Sequence, residues 1–388
     1  MDGIPNVSAS AAERSVLTSD HELFRDQVRR FFEKHILPHH RDWERTGLVP
    51  REVWREAGAH GLLCIGMPEA YGGAAADFGY SAVLIEEIAR TNTSGVGFPL
   101  HNDIVAPYVL AYATEEKKQD WLPRMARGQI IGAIAMTEPG MGSDLKAVRT
   151  TARRDGDEYV INGQKTFITN GQNSGLVIVV AKTDPAAGRK GISLICVEEG
   201  TRGFTKGRNL EKIGLHAQDT AELFFDDVRV PAANRLGEEG HGFRYLIHNL
   251  PQERLMIALR SVASIEAMLA ETVAYAKQRR AFGQAVFDFQ HNRFKLADAK
   301  AQATMLRVFV DHCLALHLGD RLSVEQAAEA KLVASEMQNR LLDEFLQVHG
   351  GCGYMSDYAI GRAWADARVA RIYGGSSEIM KEIISRTL

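Results

Sequence analysis

Apolar positions recur at helical spacing over the first third of the 388-residue chain, alternate over the middle, and return to helical spacing through the last third. Near the start, Ser19 with Glu22 three residues on reads as a capping box. Phe24, Val28, Phe31 and Phe32 then share one face of a helix that Pro38 is expected to stop. After the Tyr71-Gly-Gly73 turn, residues 81–90 repeat the amphipathic pattern. From Ile130 to Met136 the texture becomes that of a strand. Further strands are expected over 157–161, 165–169, 176–182, 191–197 and 220–230, with Asn162-Gly163 as a hairpin turn. Helical spacing resumes over 243–280, 291–318 and 323–349. The last of these is capped by Ser323 and Gln326, places Leu341, Phe345 and Val348 on one face, and ends at Gly350. The expectation is an α+β chain, mostly α: an N-terminal helical domain over 1–130, a middle β domain over 131–242, and an antiparallel helical bundle over 243–388. The order helices, strands, helices, with no βαβ repeat and no G-x-G-x-x-G after a strand, excludes a Rossmann-type nucleotide domain.

Composition changes this picture little. A net charge of −3, with 45% hydrophobic and 24% charged residues, supplies no basic field for nucleic acid and no polybasic membrane patch. No apolar stretch approaches the ~18 residues of a membrane span. Cys64, Cys196, Cys313 and Cys352 are scattered without C-x-x-C spacing, which argues against a disulfide framework and against a bound metal, and reads each as a small buried hydrophobe. Residues 1–18 are small and polar, with no secretory or transit pattern, so a cytoplasmic location is expected.

The chemistry concentrates in five blocks. Ala135-Met-Thr-Glu-Pro-Gly-Met-Gly-Ser-Asp144 offers hydroxyls and approachable amides to a flat, phosphorylated ligand. Downstream stand Lys165-Thr-Phe-Ile-Thr-Asn-Gly171, Gln278-Arg-Arg-Ala-Phe-Gly283, Gln347-Val-His-Gly-Gly-Cys-Gly353 and Arg371-Ile-Tyr-Gly-Gly-Ser-Ser-Glu378. Any one would pass for an ordinary loop, strand or helix end. In this order they resemble the acyl-CoA dehydrogenase family over nearly the whole chain. The resemblance implies the fold of that family, with a helical N-terminal domain, a middle β-barrel or sandwich and a C-terminal four-helix bundle. It also implies one FAD per chain and an acyl-CoA substrate. In that family Met136 and Thr137 would lie along the flavin, Ser143 near cofactor or thioester, Phe167 over a ring face and Thr169 near N5. Many members carry Trp where this chain has Phe167, and Phe keeps the stacking surface. Arg279, Phe282, Gln290, Gln347, Gly350 and Gly351 would complete the FAD site of a neighbouring subunit. The resemblance therefore implies a homo-oligomer, a dimer or a dimer of dimers such as a homotetramer. Ser376 and Glu378 would meet the cofactor or cap the last helix.

Most of the family carries its α-proton base as a Glu between a Tyr and a Gly that here are Tyr373 and Gly375, and this chain has Gly374 there. In the long-chain and isovaleryl branches the base comes from the position of Glu253 instead. The pairing of Glu253 with Gly374 therefore makes Glu253 the expected base. Arg254 would support the site, and the Gly374 amide and Gly375 would meet the thioester. The blocks 135–140, 217–225, 250–255 and 372–382 look most like the long-chain branch, which implies fatty acid metabolism with an electron-transfer flavoprotein as acceptor. An isovaleryl-like or branched-chain dehydrogenase, a flavin oxidase or monooxygenase, and a DNA-associated flavoprotein of the alkylation-response type stand as alternatives. The acidic net charge weighs against the last. Pocket depth depends on the packing around Leu84 to Phe98.

Overall fold

A computed structural model describes residues 14–388; the leader expectation for residues 1–18 lies almost wholly outside the described residues. The strands are preceded by α1 (Ser19–Phe31), α2 (His40–Thr46), α3 (Arg51–Ala59), α4 (Phe78–Arg90), α5 (Phe98–Leu100), α6 (Ala106–Tyr112) and α7 (Glu115–Ala126). The first cap lies one residue earlier than expected. Thr18 is extended (φ −96°, ψ 173°), and the Nδ1 of His21, rather than Glu22, accepts from its amide at 3.0 Å. Asp77 holds the other imidazole nitrogen at 2.9 Å, so this cap also ties α1 to the start of α4. Nor does α1 stop cleanly: a π-turn over Phe32–Ile36 carries it on and keeps both Phe32 and Ile36 buried before Pro38.

The middle of the chain forms β1 (Ile131–Ala135), β2 (Thr151–Asp155), β3 (Glu158–Thr169), β4 (Ser174–Lys182), β5 (Ile192–Glu198), β6 (Phe204–Asn209), β7 (Thr220–Pro231) and β8 (Arg235–Leu236). They make one eight-stranded sheet in the order β6-β7-β3-β2-β4-β5-β8, with β1 parallel to β4. Asn162-Gly163 is not a hairpin turn. The chain reverses at Gly156 (φ +59°), where Asp155 pairs with Glu158, and β3 runs straight through 162–163. At that point the register against β7 slips, Asn162 clips Asp227 by two hydrogen bonds of 2.9 Å, and a Cβ on Gly163 would meet Thr150 Oγ1 at 2.5 Å. The glycine serves close strand packing there, not a turn. Strands β2 and β6 escaped the sequence reading because Thr-Ala-Arg-Arg-Asp and Phe-Thr-Lys-Gly-Arg-Asn each bury a single apolar side chain.

The remaining elements are α8 (Gly242–Gln278), the short hairpin β9 (Arg280–Ala281) and β10 (Gln284–Ala285), α9 (Gln290–Leu318), α10 (Val324–His349), α11 (Ala359–Ala367) and α12 (Ser377–Ser385). Leu255, Leu259 and Val262 of α8 pack with Leu306 and Val310 of α9, Leu341 and Phe345 of α10, and Ala82 and Ile85 of α4. The Ser323–Gln326 cap forms as expected, and Gly350 (φ +58°) ends α10. A buried ion network fastens α4 to the bundle: Glu86 takes Arg14 and Arg307 at 2.7 Å each and Arg25 at 3.2 Å. Burial alone would raise the Glu86 carboxyl, but Arg307, Arg14 and Arg25 hold it down to about 2. Leu84 and Phe98 are fully buried and packed with Ile88 and Val96. Cys64, Cys196 and Cys313 are buried, whereas Cys352 is half-exposed and departs from the expectation for it. Among the described residues no helix is long and apolar enough to cross a membrane, and no cluster of His, Cys, Asp and Glu fits a metal ion.

Candidate active site

Three groups of expected site residues occupy three places in this frame. The first is on α8. Glu253 follows Pro251 inside the helix and is 8% exposed. Its carboxyl is pushed up to about 7, chiefly because burial disfavours the charged form, while neighbouring Arg254 and the Tyr108 hydroxyl oppose that shift. Tyr108 of α6 is fully buried, and its O–H donates to Glu253 Oε1 at 3.4 Å. Sequence reading missed Tyr108. A Tyr among apolar helix residues carries no signal until the fold sets α6 against α8.

Arg254 is also buried, and burial lowers its pKa. Its Nε donates to the Gly374 carbonyl at 3.5 Å, which joins α8 to the 373–375 turn. Both glycines of that turn have positive φ, +64° and +100°. Glu378, the other expected site carboxylate, sits exposed in the first turn of α12, and its own backbone amide and Ser376 keep its carboxyl low. Ser376 is the N-cap of α12, its hydroxyl accepting from the Ile379 amide at 3.4 Å. Ser376 therefore caps α12, and Glu378 lies in the first turn of that helix. Of the two carboxylates, only Glu253 is buried with a pKa near neutrality, which is what a base for a weak carbon acid requires.

The second group lies where β1 ends. Met136 and Thr137 are half-buried, and Ser143 is exposed on the turn beyond them. The turn is ordered by a buried pair that the sequence reading did not single out. Lys165 Nζ reaches Glu138 at 2.8 Å and the Met136 carbonyl at 3.0 Å, and Glu138 accepts from the amides of Arg149 and Thr150. Burial lowers Lys165 to about 8, with Glu138 opposing. The Thr166 amide donates to the Thr137 carbonyl at 2.9 Å, so the Thr137 and Thr169 segments are held side by side. Between them β3 bulges. Phe167 takes φ +59° and leaves its ring 67% exposed. Phe is costly at positive φ, and an uncovered aromatic face beside ordered amides and hydroxyls is what a flat heteroaromatic ring would stack on. The residues present fit an isoalloxazine.

The third group is at the far end of α8. Arg279 is the exposed C-cap, and Phe282, at φ +50° on the tip of the β9–β10 hairpin, is 97% exposed. Gln290 opens α9, and Gln347 lies exposed in the last turn of α10. The fold joins the two ends: the Tyr275 hydroxyl of α8 donates to the carbonyl of His349 at 3.1 Å. A Cβ on Gly350 or Gly351 would meet nothing within 4 Å. An exposed guanidinium, a fully exposed aromatic ring and open glycine backbone on one corner suit a phosphorylated ligand shared with a second chain.

Three family models match in chain order: the N-terminal domain of acyl-CoA dehydrogenase over residues 18–129, its middle domain over 133–228 and its C-terminal domain over 240–388. The chain is 52% identical to the mitochondrial long-chain specific acyl-CoA dehydrogenase of Sus scrofa over 377 residues, covering 97% of this chain and 88% of that protein. An acyl-CoA dehydrogenase structure from Geobacillus kaustophilus superposes with a TM-score of 0.94 at 50% identity, covering 96% of this chain and 98% of the other. A glutaryl-CoA dehydrogenase from Mycobacterium smegmatis, described in complex with FADH2, superposes with a TM-score of 0.89 at 27% identity, covering 97% and 96%.

Proposed function

Because this chain belongs to the acyl-CoA dehydrogenase family of flavoprotein oxidoreductases, we propose that it oxidises straight long-chain fatty acyl-CoA thioesters to trans-2-enoyl-CoA with Glu253 as the α-proton base. One observation carries the assignment of the base. The buried Glu253, raised to about 7 and held by Tyr108, is joined through its neighbour Arg254 to a glycine turn that has no side chain in the way. FAD, when bound, supplies the acceptor for the β-hydride.

The chain's own residues do the rest. Ser143 and Gly375 border the thioester, and the Gly374 amide donates to its carbonyl, which makes the α-proton more acidic. Glu253 takes that proton, and the buried position excludes water that would compete for it. Phe167, Met136, Thr137 and Thr169 present the flavin face, while Arg279, Phe282, Gln290, Gln347, Gly350 and Gly351 are read as the part of the site lent to a partner subunit. The proposal therefore includes a homo-oligomer. An electron-transfer flavoprotein is the proposed acceptor. Anaerobic bleaching of the purified flavoprotein by a panel of acyl-CoAs tests the function. Straight long chains should be preferred, each further buried methylene adding about 0.8 kcal/mol until the pocket is full. An optimum at a short branched thioester would move the chain to the isovaleryl-like reading, and rapid peroxide formation would move it to the oxidase reading.

Tyr108 gives a pH test. Its hydrogen bond favours the charged form of Glu253, so Tyr108→Phe should raise the Glu253 pKa. The acid limb of kcat/KM, which for a base rises with pH through about 7, should then move to higher pH with little change in the plateau. An unmoved limb would detach Tyr108 from the base.

A further inference from the structure

Lys331 stands in the N-terminal third of α10, fully buried, and its Nζ donates to the backbone carbonyl of Gly375 at 2.6 Å. Burying an ammonium is costly unless it is compensated, and a neutral carbonyl compensates it less than a carboxylate would. The nearby carboxylate of the same helix, Glu336, is already engaged by Arg371 at 2.8 Å and Ser377 at 2.5 Å. An apolar side chain of similar length would fill the same volume without that cost, so packing does not account for a lysine at this point.

The adjoining peptide is held in the same way, the Gly374 carbonyl receiving Arg254 Nε at 3.5 Å. Carbonyl and amide of a trans peptide point in opposite directions. Two cations on the carbonyls of residues 374 and 375 therefore fix the two peptides that carry the Gly375 and Ser376 amides, and with them the course of the turn that the Gly374 amide opens. Positive φ at both glycines leaves the turn without the intrinsic rigidity an L side chain would give, so the clamp supplies its geometry.

We propose that Lys331 is a positioning residue for the reaction: with Arg254 it fixes the Gly374–Gly375 turn, so that the Gly374 amide at the start of that turn stays aimed at the thioester carbonyl as it becomes an enolate. The inference rests on the reading of Glu253 as base and of this turn as the carbonyl site. A positive charge held behind this turn acts near where negative charge develops, and its effect is greater in the transition state than in the bound ground state.

The test separates enolate formation from hydride transfer. 3-Thiadodecanoyl-CoA has sulfur in place of the β-carbon and so has no β-hydride to lose. Its α-C–H can still break, the proton passing to Glu253 and a deuteron returning from D2O to the same carbon. With the FAD-loaded enzyme, Lys331→Met should slow this exchange by about 10- to 100-fold, below the ~10²–10³ reported for loss of a direct oxyanion donor. The dissociation constant of the thioether ligand and the FAD content should be nearly unchanged.

A second variant covers failure of Lys331→Met to fold. Burial and Arg254 lower Lys331 to about 8, with Glu336 and Glu378 raising it and Arg371 lowering it. Exchange by the unmodified enzyme should therefore fall as pH rises through about 8, and Lys331→Arg, which stays charged, should lose that alkaline limb. A normal exchange rate in folded Lys331→Met, or the same alkaline limb in Lys331→Arg, overturns the role of Lys331. Glu253→Gln keeps the two readings apart. No exchange in that variant with normal exchange in Lys331→Met defeats this inference alone, whereas wild-type exchange in Glu253→Gln defeats the reading beneath it.

Discussion

Glu253→Gln should lose at least about 10²–10⁴-fold in the rate at which acyl-CoA bleaches the flavin, the usual span for loss of a general base. Thioester affinity and FAD content should stay near normal. The amide keeps the shape of the carboxyl and can still meet the Tyr108 hydroxyl, now at 3.4 Å from Oε1, but it cannot take a proton. Because Glu253 is 8% exposed, no solvent carboxylate replaces it, and Glu378 is exposed on another element with its carboxyl held low. Stopped-flow reduction under anaerobic conditions gives the number. Near-normal reduction would eliminate Glu253 as the base.

Returning a carboxylate by Gly374→Glu in the same background should restore only a small part of the activity. Residue 374 sits at φ +64°, which an L side chain rarely adopts, and a Cβ there would come within 2.5 Å of Ile257 Cδ1. The φ cost is of order 1–3 kcal/mol, whereas the terminal methyl of Ile257 can move aside. Shortening Ile257 to Val should therefore increase the recovery, and the ratio of the two rates measures how far this turn has been shaped around having no side chain.

The largest stability effect is expected at Glu86→Gln. Removing this carboxylate takes away the partner that Arg14, Arg25 and Arg307 share, while Arg14 keeps Asp311, Arg25 keeps Glu87 and Arg307 keeps Glu266. Loss of one partner that leaves a buried charge uncompensated costs about 3–5 kcal/mol, so with these partners remaining denaturant midpoints should fall by less than that full amount. The pH dependence has a definite sign. Glu86 is held down to about 2 in the folded chain, so its contribution is present above the ordinary carboxylate range and is lost as pH falls toward 2. The unmodified protein should lose stability over that acid range by more than Glu86→Gln does. Equal acid sensitivity of the two would show that the network contributes little.

The amino-acid sequence determined the element types along most of the chain and named Glu253 as the candidate base, because both readings rest on local or discrete signals. Long helices such as α8 and α10 declare themselves by period and caps, and the Glu253 and Gly374 pair is legible as two letters whose combination leaves one base. The short polar strands β2 and β6 were hidden because a strand that buries one side chain has almost no alternation to read. Asn162-Gly163 misled because the dipeptide that favours a tight turn equally permits a close crossing, and only Thr150 on the neighbouring strand decides between them.

What the tertiary structure alone decided is the electrostatic setting of the chemistry. Tyr108 lies 145 residues from Glu253 in sequence, and Lys331 lies 44 residues from Gly375. Neither belongs to a motif, and neither acquires a role until helices from different parts of the chain pack together. The same holds for the raised Glu253 carboxyl: desolvation is a property of everything packed around a group, and a sequence names the carboxylate without stating how much water the fold will leave it.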